Sequence, residues 1–228
     1  MRQRLIGIVT AGLGVLLLWI AVPRVVANLL LLPGNSALQL LTTGNTITLD
    51  GYDRILRSRD AALAWVELPQ ARIELGETLY LMARAEDETG VDAGTALREA
   101  RNQFRLGLAQ APASTRAWLW LSDVNQALGD AEGAAAAVRL SLLSAPHEVN
   151  IAYARAILAF LYWDRLAPEI RAIAAGDVRT ALSQPEAAEF IDHAAEIDRL
   201  HLVEELVTED PNLSKRLAML LAKRQPAG

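Results

Sequence analysis

The chain has 228 residues, 52% of them hydrophobic and 21% charged, enough apolar material for one or two packed domains and too much for a disordered chain. It contains no cysteine, which excludes disulfides, Cys-ligated zinc, iron–sulfur clusters, a thiol nucleophile and a lipoprotein cysteine. Net charge is −5. The 27 acids all lie from Asp50 onward against 19 basic residues after Arg24, a net of −8 that makes the body a poor coat for nucleic acid or an anionic membrane surface.

Residues Leu5 to Val22 read LIGIVTAGLGVLLLWIAV, without a charge. At 1.5 Å per residue they reach roughly 27 Å, about one hydrocarbon core. One reading is a cleaved leader ending at Ala27, since Val25-x-Ala27 is a small-residue site. The other is a retained anchor. The apolar run exceeds the usual signal core, and Trp19 near its outer end sits where an interfacial aromatic belongs, so the anchor is the better reading. Gly7, Ala11 and Gly14 form a small-residue face suited to packing against another transmembrane helix. Arg2 and Arg4 precede the span and only Arg24 follows before Arg54, which orients the N-terminus to the cytoplasm and the body outward. In a bacterium the body is then periplasmic, on a single-pass inner-membrane protein.

Pro33-Gly34-Asn35 reads as the end of that helical pattern. Residues 1–24 are accordingly expected to be tip and anchor, and 25–48 a linker in which Asn45 to Thr48 is a short extended piece. From Leu49 onward the apolar residues recur at helical period. Helices are predicted over 49–67, from Pro69 to about 86, 93–110, 116–128, 131–144, 148–161 and 166–175. Ser183-Gln184-Pro185-Glu186 reads as a capping box opening a helix with Phe190, Ile191 and Ala194 on one face. Two more follow, at 200–208 and from Pro211, the last ending on Lys223 and Arg224 as the helix dipole favours. The expected class is all-α, with repeats over 49–180 and capping helices over 181–228.

Two Ala-Pro pairs end helices at Pro112 and Pro146, 34 residues apart. The segment between them, STRAWLWLSDVNQALGDAEGAAAAVRLSLLSAP, resembles a tetratricopeptide repeat. Trp118 matches the signature aromatic, with Leu121 three residues on. Gly129 matches the glycine between the paired helices, Ala134 the small residue of the second helix and Pro146 the closing proline. The preceding unit shares its second half through Ala100, Phe104, Gly107 and Pro112, but has Arg84 at the aromatic position. The following unit agrees in helix length only. Ser122 and Asn125 depart from the usual Gly and Tyr. The resemblance spans about residues 79–180. It implies a stack of antiparallel helix pairs with Trp118 and Phe104 in the interior. It also implies a groove lined by Arg116, Leu119, Asp123 and Gln126, extended one period to Asn150, Tyr153, Ile157 and Phe160. Such a surface suits an extended peptide or a partner helix, unless the C-terminal helices fill it.

Signatures of catalysis are missing: there is no Gly-rich phosphate loop, no G-x-S-x-G and no H-E-x-x-H. His193 shares a predicted helix face with Glu189 and Glu196, which reads as a solvated polar face, and His147 and His201 lack ligand spacing. Glu86, Asp87, Glu88 and Asp92 read as a solvated turn, and Arg98, Arg101 and Arg105 as an outer helix face. No cofactor and no turnover are expected. The expected role is a membrane-anchored interaction scaffold in envelope assembly, secretion or polysaccharide export, with protein partners in the membrane or periplasm. The alternative is an accessory structural subunit of one stable inner-membrane complex.

Overall fold

The computed structural model describes residues 2–85, 89–146 and 148–224, with side chains from residue 12 onward. Helix α1 (Arg2–Thr42) opens the chain and runs through both Pro23 and Pro33, so the stop expected at Pro33-Gly34-Asn35 is absent. A proline in a helix removes one backbone donor and crowds the carbonyl four residues back. Here that turn is bedded against α2 (Leu49–Leu63). The Arg59 guanidinium donates to the Leu31 carbonyl at 3.0 Å and to Asn35 Oδ1 at 2.8 Å. Gly34 permits the approach, because a Cβ there would run into Ser58 Oγ and the Arg59 guanidinium. Most of the expected linker is therefore core-forming helix. Ala27, Ala37 and Leu41 are buried, the last two in a cluster with Tyr52 and Ile55 of α2. The expected extended piece, Asn45 to Thr48, has no regular secondary structure, and Thr48, extended in its backbone, caps α2 by accepting from the Gly51 N–H at 3.2 Å.

Helices α3 (Pro69–Arg84) and α4 (Ala93–Gln110) complete this part of the molecule. Pro69 starts α3 where its missing donor costs nothing, and Asp92 caps α4, accepting from the Thr95 N–H at 2.7 Å. The two pack closely because Phe104, fully buried, lies flat on Gly76. Arg59 reaches α3 as well, through an ion pair to Glu74 at 2.9 Å, so one buried guanidinium ties α1, α2 and α3 together.

The chain divides into two compact units, residues 1–111 and 112–228, and the division falls inside the stretch expected to form one array. The second unit begins with the hairpin α5 (Thr115–Ala127) and α6 (Ala131–Ser144). Gly129 turns the chain at φ +77°, and Asp130 caps α6. Ser122 Oγ donates to the Ala134 carbonyl and Ser141 Oγ to the Thr115 carbonyl, both at 3.1 Å, so small polar residues hold the hairpin closed. A short 3₁₀ turn, Val149–Ile151, leads into α7 (Ala152–Leu161), and another, Trp163–Arg165, precedes α8 (Pro168–Ser183). Helices α9 (Ala187–Glu196), α10 (Leu200–Val207) and α11 (Pro211–Arg224) follow. α8 outruns its expected end near 175, and α9 starts at Ala187 without a side-chain cap. α8 touches α6, α7, α9, α10 and α11, so this unit gathers about one helix.

At its centre, Arg155 of α7 is fully buried. It meets Asp177 of α8 in a two-pronged ion pair at 2.7 and 2.6 Å and donates to the Ala145 carbonyl at 2.6 Å. Eleven α-helices and no strand are present among the described residues, in accord with the all-α expectation.

Trp118 takes its expected interior place only in part. Leu121, Ser122 and Asn125, three, four and seven residues on and so on the same side of α5 as Trp118, are buried. Trp118 is half-buried, and its indole N–H donates to the Pro112 carbonyl at 2.8 Å. Among the other repeat positions, Phe104, Leu121 and Ala134 are buried, while Pro112, Gly129 and Pro146 are exposed at turns.

Candidate membrane anchor and interaction surfaces

A helix lying on a soluble core buries one stripe and exposes the other. The outer part of α1 does not do this. Leu13, Val15, Leu16, Leu17, Leu18, Trp19, Ile20 and Val22 are all exposed, Trp19 at 80%. Six consecutive positions from Val15 to Ile20 cover more than a full turn, so apolar surface faces every direction. Among the described residues α1 is the one helix long and apolar enough to cross a membrane. Its stretch from Gly12 to Thr42 has a mean hydropathy of 2.3 in the spanning window. Gly14 is open, with no neighbour near the place a Cβ would take. The side chains of its expected companions Gly7 and Ala11 lie outside the described residues.

The residues expected to line one groove fall into three environments. Arg116, Gln126 and Asn150 are exposed and Asp123 is half-buried. Leu119 and Phe160 are buried in the core, and Tyr153 and Ile157 pack against that core from the side. The cause is α9, which seats Phe190 beside Phe160 at 6.1 Å between ring centres and beside Tyr153 at 5.8 Å. The second half of the expected groove is therefore occupied by the chain's own C-terminal helices. On α5 an exposed polar strip remains, where the Arg116 guanidinium lies over the Trp120 ring at 5.8 Å.

His193 is not merely solvated. Its Nδ1 is 2.6 Å from the Tyr153 hydroxyl, and its Nε2 is 3.9 Å from Glu196. Burial pushes the Tyr153 phenol above its ordinary pKa, and the carboxylates Glu189, Glu196 and Asp192 push the same way. The phenol thus keeps its proton at neutral pH and serves as a fixed hydrogen-bonding latch between α7 and α9. Forty residues separate the two partners, and neither has a local motif that would announce the other.

Arg98, Arg101, Asn102, Arg105 and Leu106 line a shallow depression on the outer face of α4. Asp92 is occupied as a cap, and Glu86, Asp87, Glu88 and His147 lie outside the described residues. Among the described residues no group of three or more His, Asp or Glu side chains is placed to hold a metal. No family model, curated protein or solved structure matches the chain.

Proposed function

We propose that this is a single-pass membrane protein whose helical body binds other proteins beside the bilayer, without turnover. The observation that carries the reading is α1 itself. One unbroken helix presents an all-round apolar surface at its outer end and supplies Ala27, Ala37 and Leu41 to a packed core at the other. A body fixed in that way to a membrane holds its partners at high effective concentration in the same plane. The flanking arginines support an N-terminus in the cytoplasm and a periplasmic body in a bacterial envelope. A tetratricopeptide-like kinship of the α5–α6 hairpin draws support from Ala134, Leu121 and the Gly129 turn. The exposed Arg116 and Gln126 on α5, and Asn150 on the turn before α7, are the parts of the expected groove left for a partner.

The test is extraction of the full chain in mild detergent, followed by mass spectrometry of what co-purifies. A set of membrane or envelope proteins that Arg116→Glu with Gln126→Glu displaces supports the scaffold. One fixed stoichiometric set, indifferent to those changes, supports the subunit of a stable complex instead. Recovery of the chain in the soluble fraction without detergent refutes the anchor, and an inactive alkaline phosphatase fused at the C-terminus refutes the orientation.

A further inference from the structure

The hairpin of α1 and α2 fixes where the rest of the first unit stands along the anchor. Arg59 meets Leu31 and Asn35, and Tyr52 and Ile55 cluster with Ala37 and Leu41, so the helices run antiparallel. Continuing that register, the corner after α2 comes level with about Ala27 of α1. Trp65 stands at that corner, 55% exposed, next to the half-buried Val66. The last turn of α4 lies beside the same corner, since a Cβ on Gly107 would meet the Pro69 carbonyl, and it brings the exposed Leu106 there. On α1 itself Val25, Leu29 and Leu32 remain exposed beyond Arg24.

The apolar run ends at Val22, and five further residues to Ala27 rise about 7 Å. The headgroup layer outside a hydrocarbon core is roughly 5–8 Å thick on each side. Resting on the reading of α1 as an anchor, we infer that the α2–α3 corner lies in this layer, with Trp65 and Leu106 inserted among the lipid headgroups. Tryptophan suits the place, with an apolar ring and one N–H for the wet side. The contact is apolar and aromatic, so the body's negative charge does not oppose it on a zwitterionic lipid. It gives the first unit a second footing on the bilayer besides the span.

The chain has no cysteine, so single-cysteine variants report one position each. The full chain carrying Trp65→Cys, Leu106→Cys, Asn45→Cys or Val15→Cys is labelled with an environment-sensitive fluorophore. Each is reconstituted in phosphatidylcholine vesicles bearing spin labels at the headgroup or deep in the acyl chain. All four positions are exposed, so labelling leaves the cores intact. The headgroup quencher should remove most of the emission at 65 and 106. It should spare position 45, which lies at the far end of the hairpin, about 22 Å away. The deep quencher should act on position 15 alone. Quenching at 15 with none at 65 and 106 overturns the corner contact and leaves the anchor standing. No quenching at 15 overturns the anchor, and the contact with it.

Discussion

The pair Arg155–Asp177 offers the sharpest test of how the second unit is held together. Both side chains are almost completely removed from water, with Arg155 at 0% and Asp177 at 2% exposure. Replacing Asp177 by Asn keeps the shape but leaves a guanidinium in the core without its counter-charge. Removing one partner of such a pair costs about 3–5 kcal/mol, against roughly 5–15 kcal/mol for a whole domain. At about 4 °C per kcal/mol for a unit of this size, the midpoint should fall by roughly 12–20 °C. Replacing both residues, Arg155→Met with Asp177→Leu, should recover much of the loss, because apolar side chains carry no desolvation cost. Recovery should be incomplete, since the Ala145 carbonyl then loses its donor, at about 1–3 kcal/mol. The assay is thermal unfolding of the full chain in detergent, with hydrogen exchange read by mass spectrometry to assign the loss to α7 and α8. A fall of less than about 1 kcal/mol in the single variant, or a double variant as weak as the single, would refute the central role given to the ion pair.

Three further outcomes are expected. Phe104→Ala should cost about 3–5 kcal/mol as a core truncation, whereas Trp118→Ala, at a half-buried position, should cost clearly less; equal losses in denaturant titrations would restore Trp118 to the interior. Gly34→Ala should destabilise the first unit by about 1–3 kcal/mol through overpacking against Ser58 and Arg59, seen as faster hydrogen exchange in α2. Glu67 is held below the ordinary carboxylate range, chiefly by its hydrogen bond from Arg72. Its contribution is therefore present above its unfolded-state pKa and is lost as pH falls through the lowered folded value. Because the pair is partly exposed, Glu67→Gln should flatten the acid side of the stability profile by no more than about 1 kcal/mol.

Much of this architecture can be read from local signals. Pro69, Asp92, Asp130, Pro168 and Pro211 mark helix starts by the groups they lack or supply, and the structure begins helices beside each of them. What escapes such reading depends on residues far apart in the chain. Pro33 reads as a stop because only its own turn is visible in sequence, while the contacts that bed the helix there come from α2, whose Arg59 lies 28 residues beyond the Leu31 carbonyl it serves. Arg59 and Arg155 look like ordinary surface cations until a carboxylate from another helix arrives. Trp118 shares a side of α5 with the buried Leu121, Ser122 and Asn125 yet stays half-buried itself, a difference in depth that a motif match does not detect. The filling of the expected groove by α9 depends on Phe190 meeting Tyr153 and Phe160, and helical periodicity does not say which helix covers which.

The continuity of α1 through Pro33 has a mechanical consequence. If α1 is the anchor proposed above, a flexible joint would let the first unit spin about the membrane normal. A helix keyed to α2 by Gly34 and Arg59 instead locks its azimuth, so each face of the span corresponds to one face of the first unit. Each added residue turns a helix by about 100°. One residue inserted between Arg24 and Val25 would therefore leave both ends chemically unchanged while redirecting the first unit by more than a quarter turn. A neighbour that grips the span would then meet a different side of that unit, and twist imposed within the bilayer would reach the core around Arg59 as torque.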